Sequence, residues 1–459
     1  MKKFVQRAWL MMAVLLSGGG VSAQRLELHV QNPGDLPKMI DVGYKEISDL
    51  KISGKLNGTD MRRIREMVGR DVNGDETVGH VSSLDLSEAQ IVEGGESYFY
   101  HGGFSYTSDN EFPSHLFYDC HNLKSIILPS SVTSIRSSAF SGCSSLTSIV
   151  ISGSVTSIGY RTFLGCSSLT SIDLPESVTS IGESAFEGCS SLTSIVISGS
   201  VTSIGESAFE DCSSLTSIDL PKSVTSIGYR TFLGCSSLTS IVLPESVTSI
   251  RSSAFSGCSS LTSIVISGSV TSIGSTAFSG CSSLTSIDLP ESVTSIGENA
   301  FSYCSSLTSI DLPESVTYIG KSAFSCCSSL TSIVLPESVT SIGDYAFSYC
   351  SGLMEIYSKA SVPPNVGSGS FYGVDKGKCI LYVPTGSYGS YWLAEGWGSF
   401  EHIVEKDMSD IDAVKSVRPV NGSTETERYS IGGIRIDKPE RGLNVVRMSD
   451  GTVRKVMVK

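Results

Sequence analysis

The chain has 459 residues and a formal net charge of −13 at pH 7, and only 17% of its residues are charged. Nucleic-acid-binding proteins depend on clustered Lys and Arg to neutralise phosphates, and this acidic chain has no such clusters. The same charge balance gives no polybasic attraction to anionic lipid. We therefore expect neither a nucleic-acid partner nor electrostatic binding to a membrane.

The first 23 residues have the pattern of a secretory signal peptide. A short apolar stretch, Ala8 to Leu16, follows the charged residues Lys2, Lys3 and Arg7, and small residues end the segment at Ala23. This pattern predicts export and cleavage after Ala23. The apolar stretch is much shorter than the roughly 20 residues that span a bilayer, so we expect no transmembrane helix.

The next segment predicts a strand, a helix and a second strand. In "GKLNGTDMRRIREMVG", Met61, Ile64 and Val68 lie on one helical face, and Asn57 or Thr59 is the expected N-cap. The following "HVSSLDLSEAQI" alternates as a strand. We interpret this unit as a cap at the N-terminal end of the array that follows.

Cysteine recurs every 23 residues through the middle of the chain. From Cys120 to Leu353 the sequence follows, with few exceptions, C-S-S-L-T-S-I-x-L/I-P/S-x-S-V-T-S-I-G-x-x-A/T-F-x-x. Self-similarity at a fixed period is the signature of a repeat architecture. The recurring residues are Cys120, Cys143, Cys166, Cys189, Cys212, Cys235, Cys258, Cys281, Cys304, Cys327 and Cys350, which we call the cysteine ladder.

Each repeat predicts two short strands and a turn. In the copy that begins at Cys166, Ile172 and Leu174 alternate as on a strand with one buried face. Val178 and Ile181 suggest a second β segment, and Phe186 is an aromatic plug in a brief turn or helical piece. One copy buries too little to order itself, because ordering costs about 1–2 kcal/mol per residue. Coils stacked roughly 4.8 Å apart bury each other's apolar side chains, and their strands pair from coil to coil in two parallel β ladders.

The chain after the repeats predicts a second cap and a tail. The segment from "KASVPPNVGSGSF" to "FEHIVE" breaks the period, and the last thirty residues alternate weakly. A solenoid needs covered ends. We predict a signal peptide over 1–23, a strand-helix-strand N-terminal cap over 24–116, a solenoid of about eleven coils over 117–353, a C-terminal cap over 354–405, a linker over 406–425 and a small β tail over 426–459.

The motif "LPESVTSIGESAFEGCSSL" resembles the BspA-like leucine-rich repeats of surface proteins in Bacteroidetes and some mucosal protists. The resemblance implies a mainly β solenoid of leucine-rich repeats at the cell surface or secreted, which binds host matrix proteins or other cells and is not an enzyme. The final "YSIGGIRIDKPERGLNVVRMSDGTVRKVMVK" is similar to C-terminal sorting tails of type IX secretion.

Regular cysteines can indicate a metal site, disulfides or packing. Zinc sites need converging ligands at short spacing, whereas the ladder supplies one thiol per coil. Neighbouring thiols in a parallel stack lie side by side, at a Cβ separation wider than a disulfide favours. We therefore interpret the ladder as small buried packing residues. Cys326 precedes a ladder cysteine and is expected to face outward, and Cys379 is expected in a cap strand; either is free or in a disulfide.

No other motif predicts chemistry. The serines lack a G-x-S-x-G context and a repeat histidine as base. "DVNGDETVGHVS" places Asp71, Asn73 and Asp75 as in a calcium loop, but Glu76 and Ser82 stand where glycine and a bidentate carboxylate are needed, so a polar turn is expected. We expect no catalytic residue, no metal and no cofactor.

One outward position per coil forms a stripe. Its members are Ile127, Val150, Asp173, Val196, Asp219, Val242, Val265, Asp288, Asp311 and Val334. We call the part from Asp173 to Val334 the acidic stripe. A second stripe contains Glu176, Glu245, Glu291, Glu314 and Glu337, and Lys222 breaks it. Both fit a solvated strand surface, and both also fit a binding face for extended proteins with basic patches. We expect a non-catalytic adhesive surface protein or, alternatively, a structural stalk without a specific ligand.

Overall fold

The computed structural model describes residues 24–40, 44–409, 411, 425–430, 438, 442–448 and 453–458. The predicted signal peptide lies outside these residues, as does most of the predicted linker. No helix within the described ranges combines the length and the apolar character needed to cross a bilayer. The chain forms two compact units, Met1–Val155 and Thr156–Lys459.

The first unit is built mostly from parallel strands. Its elements are β1 (Gln24–Val30), α1 (Leu36–Met39), a 3-10 turn (Tyr44–Glu46), β2 (Ile47–Leu56), α2 (Gly58–Val68), β3 (Ser83–Asp85), β4 (Ala89–Ile91), β5 (Gly94–Tyr100), β6 (Phe104–Thr107), β7 (Glu111–Phe112), β8 (Ser125–Ile127), β9 (Ser134–Ile135) and β10 (Ser148–Val150). Strands β1, β2, β3, β8 and β10 pair in that order, β4 pairs with β2 and β7 with β9. The N-terminal segment thus joins the same ladder as the first coils.

Helix α2 confirms the sequence prediction. Met61, Ile64 and Val68 are fully buried. Asn57 is the N-cap in a capping box with Asp60, whose carboxylate accepts a hydrogen bond from the Asn57 backbone N–H. The reciprocal bonds satisfy backbone donors that a helix start leaves unpaired, which fixes where the helix begins.

The fully buried Arg65 connects α2 to other parts of the first unit through hydrogen bonds and a ring contact. The sequence does not predict the antiparallel hairpin of β5 and β6, which brings Phe99 to 4.2 Å from the guanidinium. That group donates to the backbone carbonyls of Asp71, His115, Leu116 and Tyr118 at 2.7–3.3 Å. Burial lowers the pKa of Arg65, and these bonds compensate the buried charge.

The second unit repeats one coil many times and ends in a separate small sheet. Its strands are β11 (Ser157–Ile158), β12 (Ser171–Asp173), β13 (Ser180–Ile181), β14 (Ser194–Val196), β15 (Ser203–Ile204), β16 (Ser226–Ile227), β17 (Ser240–Val242), β18 (Ser249–Ile250), β19 (Ser263–Val265), β20 (Ser272–Ile273), β21 (Ser286–Asp288), β22 (Ser295–Ile296), β23 (Ser309–Asp311), β24 (Tyr318–Ile319), β25 (Ser332–Leu335), β26 (Ser341–Ile342), β27 (Glu355–Ser358), β28 (Asn365–Val366), β29 (Ile380–Pro384), β30 (His402–Lys406), β31 (Glu425–Ser430), β32 (Gly442–Met448) and β33 (Val453–Val458). Helix α3 covers Tyr388–Leu393, and a 3-10 turn covers Trp397–Ser399.

All but one of the coils in this unit give a longer and a shorter parallel strand, which confirms the predicted mainly β solenoid with two ladders. Equivalent residues pair in register; for example, Ser171 is opposite Ser194 and Ser180 is opposite Ser203. The longer strands β21, β23, β25, β27, β29 and β30 form one sheet, and the shorter strands from β16 to β28 form another. The first of these sheets continues past the last repeat, because β29 and β30 join it.

A column of phenylalanines fills the core of the second unit. Successive rings from Phe163 to Phe371 stack with centroids 5.3–5.6 Å apart and planes within 1–11° of parallel. All but the last ring, which is 3% exposed, are fully buried. Glycine allows the backbones to approach, since a Cβ on Gly320 would lie 2.5 Å from the Gly297 carbonyl carbon. Aromatic stacking and backbone pairing therefore both act between coils.

One coil interrupts both ladders. The expected strand at Asp219 is wrong, because residues 217–219 form no strand, and β15 does not pair with β16. In this coil Thr231 replaces the buried alanine of most other copies, which adds a methyl and a hydroxyl group to the core. Among the residues that the structure describes, Thr231 Oγ1 is buried without a hydrogen-bond partner.

The last three strands form an antiparallel sheet. Strand β32 pairs with β31 on one side and β33 on the other. We call β31–β33 the tail sheet. Its last strand, β33, contacts β19 in the solenoid, so a segment far along the chain lies beside one of the longer strands.

We predict that Thr231→Ala stabilises the protein. The substitution removes an unsatisfied buried hydroxyl and restores the side chain of most copies, so we expect the free energy of unfolding to rise by about 1 kcal/mol. Urea denaturation followed by circular dichroism measures the change.

The matched control for this prediction is Thr162→Ala, at the equivalent position of another coil. Thr162 Oγ1 donates to the Gly159 carbonyl at 2.9 Å, so its loss should be neutral or destabilising. Equal effects of the two substitutions would contradict the explanation from the unsatisfied hydroxyl.

Candidate partner-binding surface

The acidic stripe occupies the third residue of the longer strands. The preceding isoleucine points into the core, so the next side chain points outward by the two-residue period of a strand. Asp173 and Asp288 are exposed, and Asp311 is half-buried. Asp219 is exposed as well, although it lies outside a strand. The apolar members are also accessible, since Val196 is 60% exposed.

Pairing in register turns these single residues into a column. Asp173 is opposite Val196, Val242 is opposite Val265, and Asp288 is opposite Asp311. Like charges directly opposite each other on neighbouring strands oppose folding. The Asp288–Asp311 pair therefore places two carboxylates side by side on neighbouring strands.

The glutamates of the second stripe are all exposed, and one of them forms an ion pair with a lysine. All five glutamates, Glu176, Glu245, Glu291, Glu314 and Glu337, are exposed. Glu314 accepts a hydrogen bond from Lys359 Nζ at 2.7 Å, and the Lys359 side chain is only 11% exposed. This ion pair partly neutralises one member of the stripe at its C-terminal end.

An aromatic pair continues the column and was missed by the sequence interpretation. Val334 is opposite Tyr357, and Tyr357 is opposite Tyr382. The two rings stack at 4.6 Å, and Lys406 Nζ lies 5.2 and 5.0 Å from their centroids. Burial raises the pKa of Tyr357. The alternation in "EIYS" and "ILYVP" was the signal that could have revealed this continuation.

The cysteine ladder has a hydrogen-bonding role in addition to packing. All eleven thiols are fully buried. Within each unit, ladder thiols donate to the carbonyl of the phenylalanine in the preceding coil; Cys212 Sγ, for example, lies 3.2 Å from the Phe186 carbonyl oxygen. Burial raises the pKa of Cys189 and Cys258 to about 12. These thiols are therefore poor nucleophiles, because thiolate is the reactive form.

The two cysteines outside the ladder have different environments. Cys326 is half-buried, and its φ of 63° is left-handed. Six other coils have glycine there, with φ of 70° to 76°, and the remaining coils have Asp or Tyr with φ of 56° to 60°, because this turn needs a left-handed residue. Cys379 precedes β29 instead of lying in it, and burial raises its pKa to about 12. None of the thirteen cysteines forms a disulfide in the structure.

The calcium-like segment forms the expected polar turn. Asp71 Oδ1 accepts hydrogen bonds from the backbone N–H groups of Asn73 and Asp75 at 2.8 and 2.9 Å. The carboxylate thus stabilises its own loop. The described part of the chain contains no group of three or more His, Cys, Asp or Glu residues placed to hold a metal ion.

Comparison with known families agrees with this architecture. The family model described as "BspA type Leucine rich repeat region" matches residues 110–239 and 225–354, over half of the chain. The chain belongs to the BspA-type leucine-rich repeat family. Its matched BspA-type segments include all eleven ladder cysteines and the whole acidic stripe.

Several solved leucine-rich repeat proteins are similar to this BspA-type chain. One from Bacteroides ovatus is 29% identical, with 66% of this chain and 89% of that chain covered and a TM-score of 0.44. A leucine-rich cell surface protein from Faecalibacterium prausnitzii is 25% identical, with 72% and 90% covered and a TM-score of 0.35. One from T. pallidum is 30% identical, with 45% and 77% covered and a TM-score of 0.30. Comparison with curated proteins gives no match.

We predict that Cys326 is the fast-reacting thiol of the native protein. It is half-buried, whereas the other twelve cysteines are buried. Maleimide labelling at pH 7, followed by mass spectrometry of peptides, should modify Cys326 first, and denaturation should expose all thirteen thiols. Raising the pH to 9 should leave the ladder unmodified. Labelling of ladder cysteines at the rate of Cys326 would contradict the packing described above.

Proposed function

We propose that this protein is an exported, non-catalytic surface protein whose solenoid binds protein partners through the acidic stripe. The observation that carries the proposal is the column of outward aspartates and valines on neighbouring parallel strands. A shallow column of this kind offers no enclosed cleft, and its width suits an extended segment of a partner.

The chemistry of the column defines the partner class. Aspartates such as Asp173 and Asp288 attract lysine and arginine side chains and speed association at low salt. Exposed valines such as Val196 and Val242 supply apolar contacts between the charges. The expected partner is therefore an extended protein surface with basic residues, as in host extracellular-matrix proteins or proteins of other cells.

Export and surface location rest on the two ends of the chain and on the family. The N-terminal residues have the pattern of a secretory signal, and the last thirty residues are similar to sorting tails of type IX secretion. Membership of a repeat family whose members resemble surface adhesins supports the same location. In this proposal the tail directs the exported protein to the cell surface.

The repeated copies favour a second candidate function, a structural stalk. "YRTFLGC" recurs at Tyr160 and Tyr229, and "IRSSAFSGC" recurs at Ile135 and Ile250. Such close copies allow the number of coils to change without disturbing the core. A stalk or spacer uses length in this way and needs no specific ligand.

We predict that charge removal from the stripe weakens binding. The variant combines Asp173→Asn, Asp219→Asn, Asp288→Asn and Asp311→Asn in the full chain. Surface plasmon resonance against immobilised matrix proteins should show an affinity loss of about tenfold, or about 1.4 kcal/mol. The dependence of Kd on salt concentration should also become shallower, because fewer ion pairs form.

The control variant removes the same number of charges elsewhere. It combines Glu183→Gln, Glu298→Gln, Glu395→Gln and Glu401→Gln, all exposed residues outside both stripes. This variant should retain the affinity of the natural sequence within twofold. Equal losses in the two variants would show only a general charge effect, and the absence of retention of any matrix protein would favour the stalk.

A further inference from the structure

Because the coils are nearly identical in sequence, the exposure of a residue can be compared with that of its equivalents in other coils. The serine before the inward isoleucine is exposed in three consecutive coils, at Ser171, Ser194 and Ser217. The equivalent Ser263 and Ser309 are only 6% and 5% exposed. Because neighbouring coils have nearly the same sequence, coil-to-coil packing gives similar burial at each copy. The low exposure of Ser263 therefore indicates that an additional segment covers the surface at β19.

The outward position of the longer strands shows the same difference. Val196 and Val242 are 60% and 42% exposed, but Val265 is half-buried. Asp311 is likewise half-buried, although Asp173 and Asp288 are exposed. Reduced exposure of the acidic stripe is therefore found at Val265 on β19 and Asp311 on β23, while Asp288 on β21 between them is exposed.

The tail sheet lies where this cover is needed. Strand β33 contacts β19, which contains both Ser263 and Val265. Within the tail sheet, Val446 on β32 is 1% exposed. A single three-stranded layer leaves one face of each strand open, so full burial of a side chain requires a second layer. The contact of β33 with β19 places the solenoid surface beside this sheet.

Charge favours the same contact. Residues 425–459 contain eight Lys and Arg residues against five Asp and Glu residues, in a chain whose net charge is −13. Strand β33 itself includes Arg454 and Lys455 and no acidic residue. It contacts β19, and β19 in turn contacts β21, the strand that carries Asp288. Opposite charge at this surface reduces the repulsion between Asp288 and Asp311.

We propose that the tail sheet is an internal occupant of the acidic stripe, seated at β19 by charge, and that it leaves the stripe open from Asp173 to Val242. A basic partner that uses the whole stripe must displace the tail sheet. This competition rests on the proposed function, whereas the covering of the stripe does not. The tail thus shows which chemistry the stripe accepts, a strand-forming segment with basic side chains.

Labelling of introduced thiols tests the covering in the full chain. Val265→Cys and Val196→Cys are made separately in a Cys326→Ser background, so that the buried ladder contributes no signal. Val242→Cys serves as a second exposed control. We expect maleimide to label the thiol at position 265 at least tenfold more slowly than those at 196 and 242. Equal rates at the three positions overturn the proposal.

Charge reversal in the tail tests what holds it. Adding Arg454→Glu and Lys455→Glu to the Val265→Cys chain should raise its labelling rate towards that of Val196→Cys. The matched control, Arg251→Glu with Lys321→Glu, reverses two exposed charges on the solenoid and should leave the rate unchanged. No response to the tail substitutions overturns seating by charge.

A second pair of positions protects the result against misfolding of one variant. Ser309→Cys should label slowly and Ser171→Cys rapidly, by the same comparison of equivalent positions. These experiments contain no partner, so their outcome is independent of binding to matrix proteins. With a retained matrix protein, the tail charge reversal should strengthen binding severalfold, and unchanged or weaker binding overturns the competition alone.

Discussion

The structure depends on contacts that no coil can make by itself. Each phenylalanine ring is covered by the rings of adjacent coils, and each ladder thiol donates to a carbonyl one coil away. The strand backbones also pair only between coils. Stability in such an array is a sum of weak intrinsic terms and strong neighbour terms, so coils persist only as a stack. The same condition explains why both solenoid ends continue into further strands.

Stacking in register also determines what the surface can do. A residue at one position of the repeat lies directly beside its equivalent in the next coil. Substitutions at that position therefore determine the charge and polarity of a whole column of side chains. The invariant residues maintain the core, and the variable ones, such as Asp173 and Val196, define the surface. Binding specificity in this architecture therefore comes from the order of a few side chains along the column.

The sequence predicted the structural features that recur with its 23-residue repeat. The 23-residue spacing predicted the two ladders and the outward position of the stripe, and the helical pattern with Asn57 predicted α2. Features without a period were missed. The interruption lies in a copy whose sequence follows the same repeat as its neighbours, so the repeat pattern gave no sign of it.

The same limit applies to the other corrections. The left-handed turn at Cys326 is a backbone property that glycine in other copies only hints at. The hairpin of β5 and β6 is held by Arg65, through contacts between distant residues. The position of the tail sheet also depends on contacts between segments that share no spacing, so no local pattern could predict it.

The interrupted coil has a mechanical consequence. Where β15 and β16 do not pair, the backbone connection between adjacent coils is weaker than elsewhere in the second unit. Under tension along this stack of coils, we expect separation to start at this joint. The coils on either side have their own paired strands, so we expect each stack to stay folded when the joint opens.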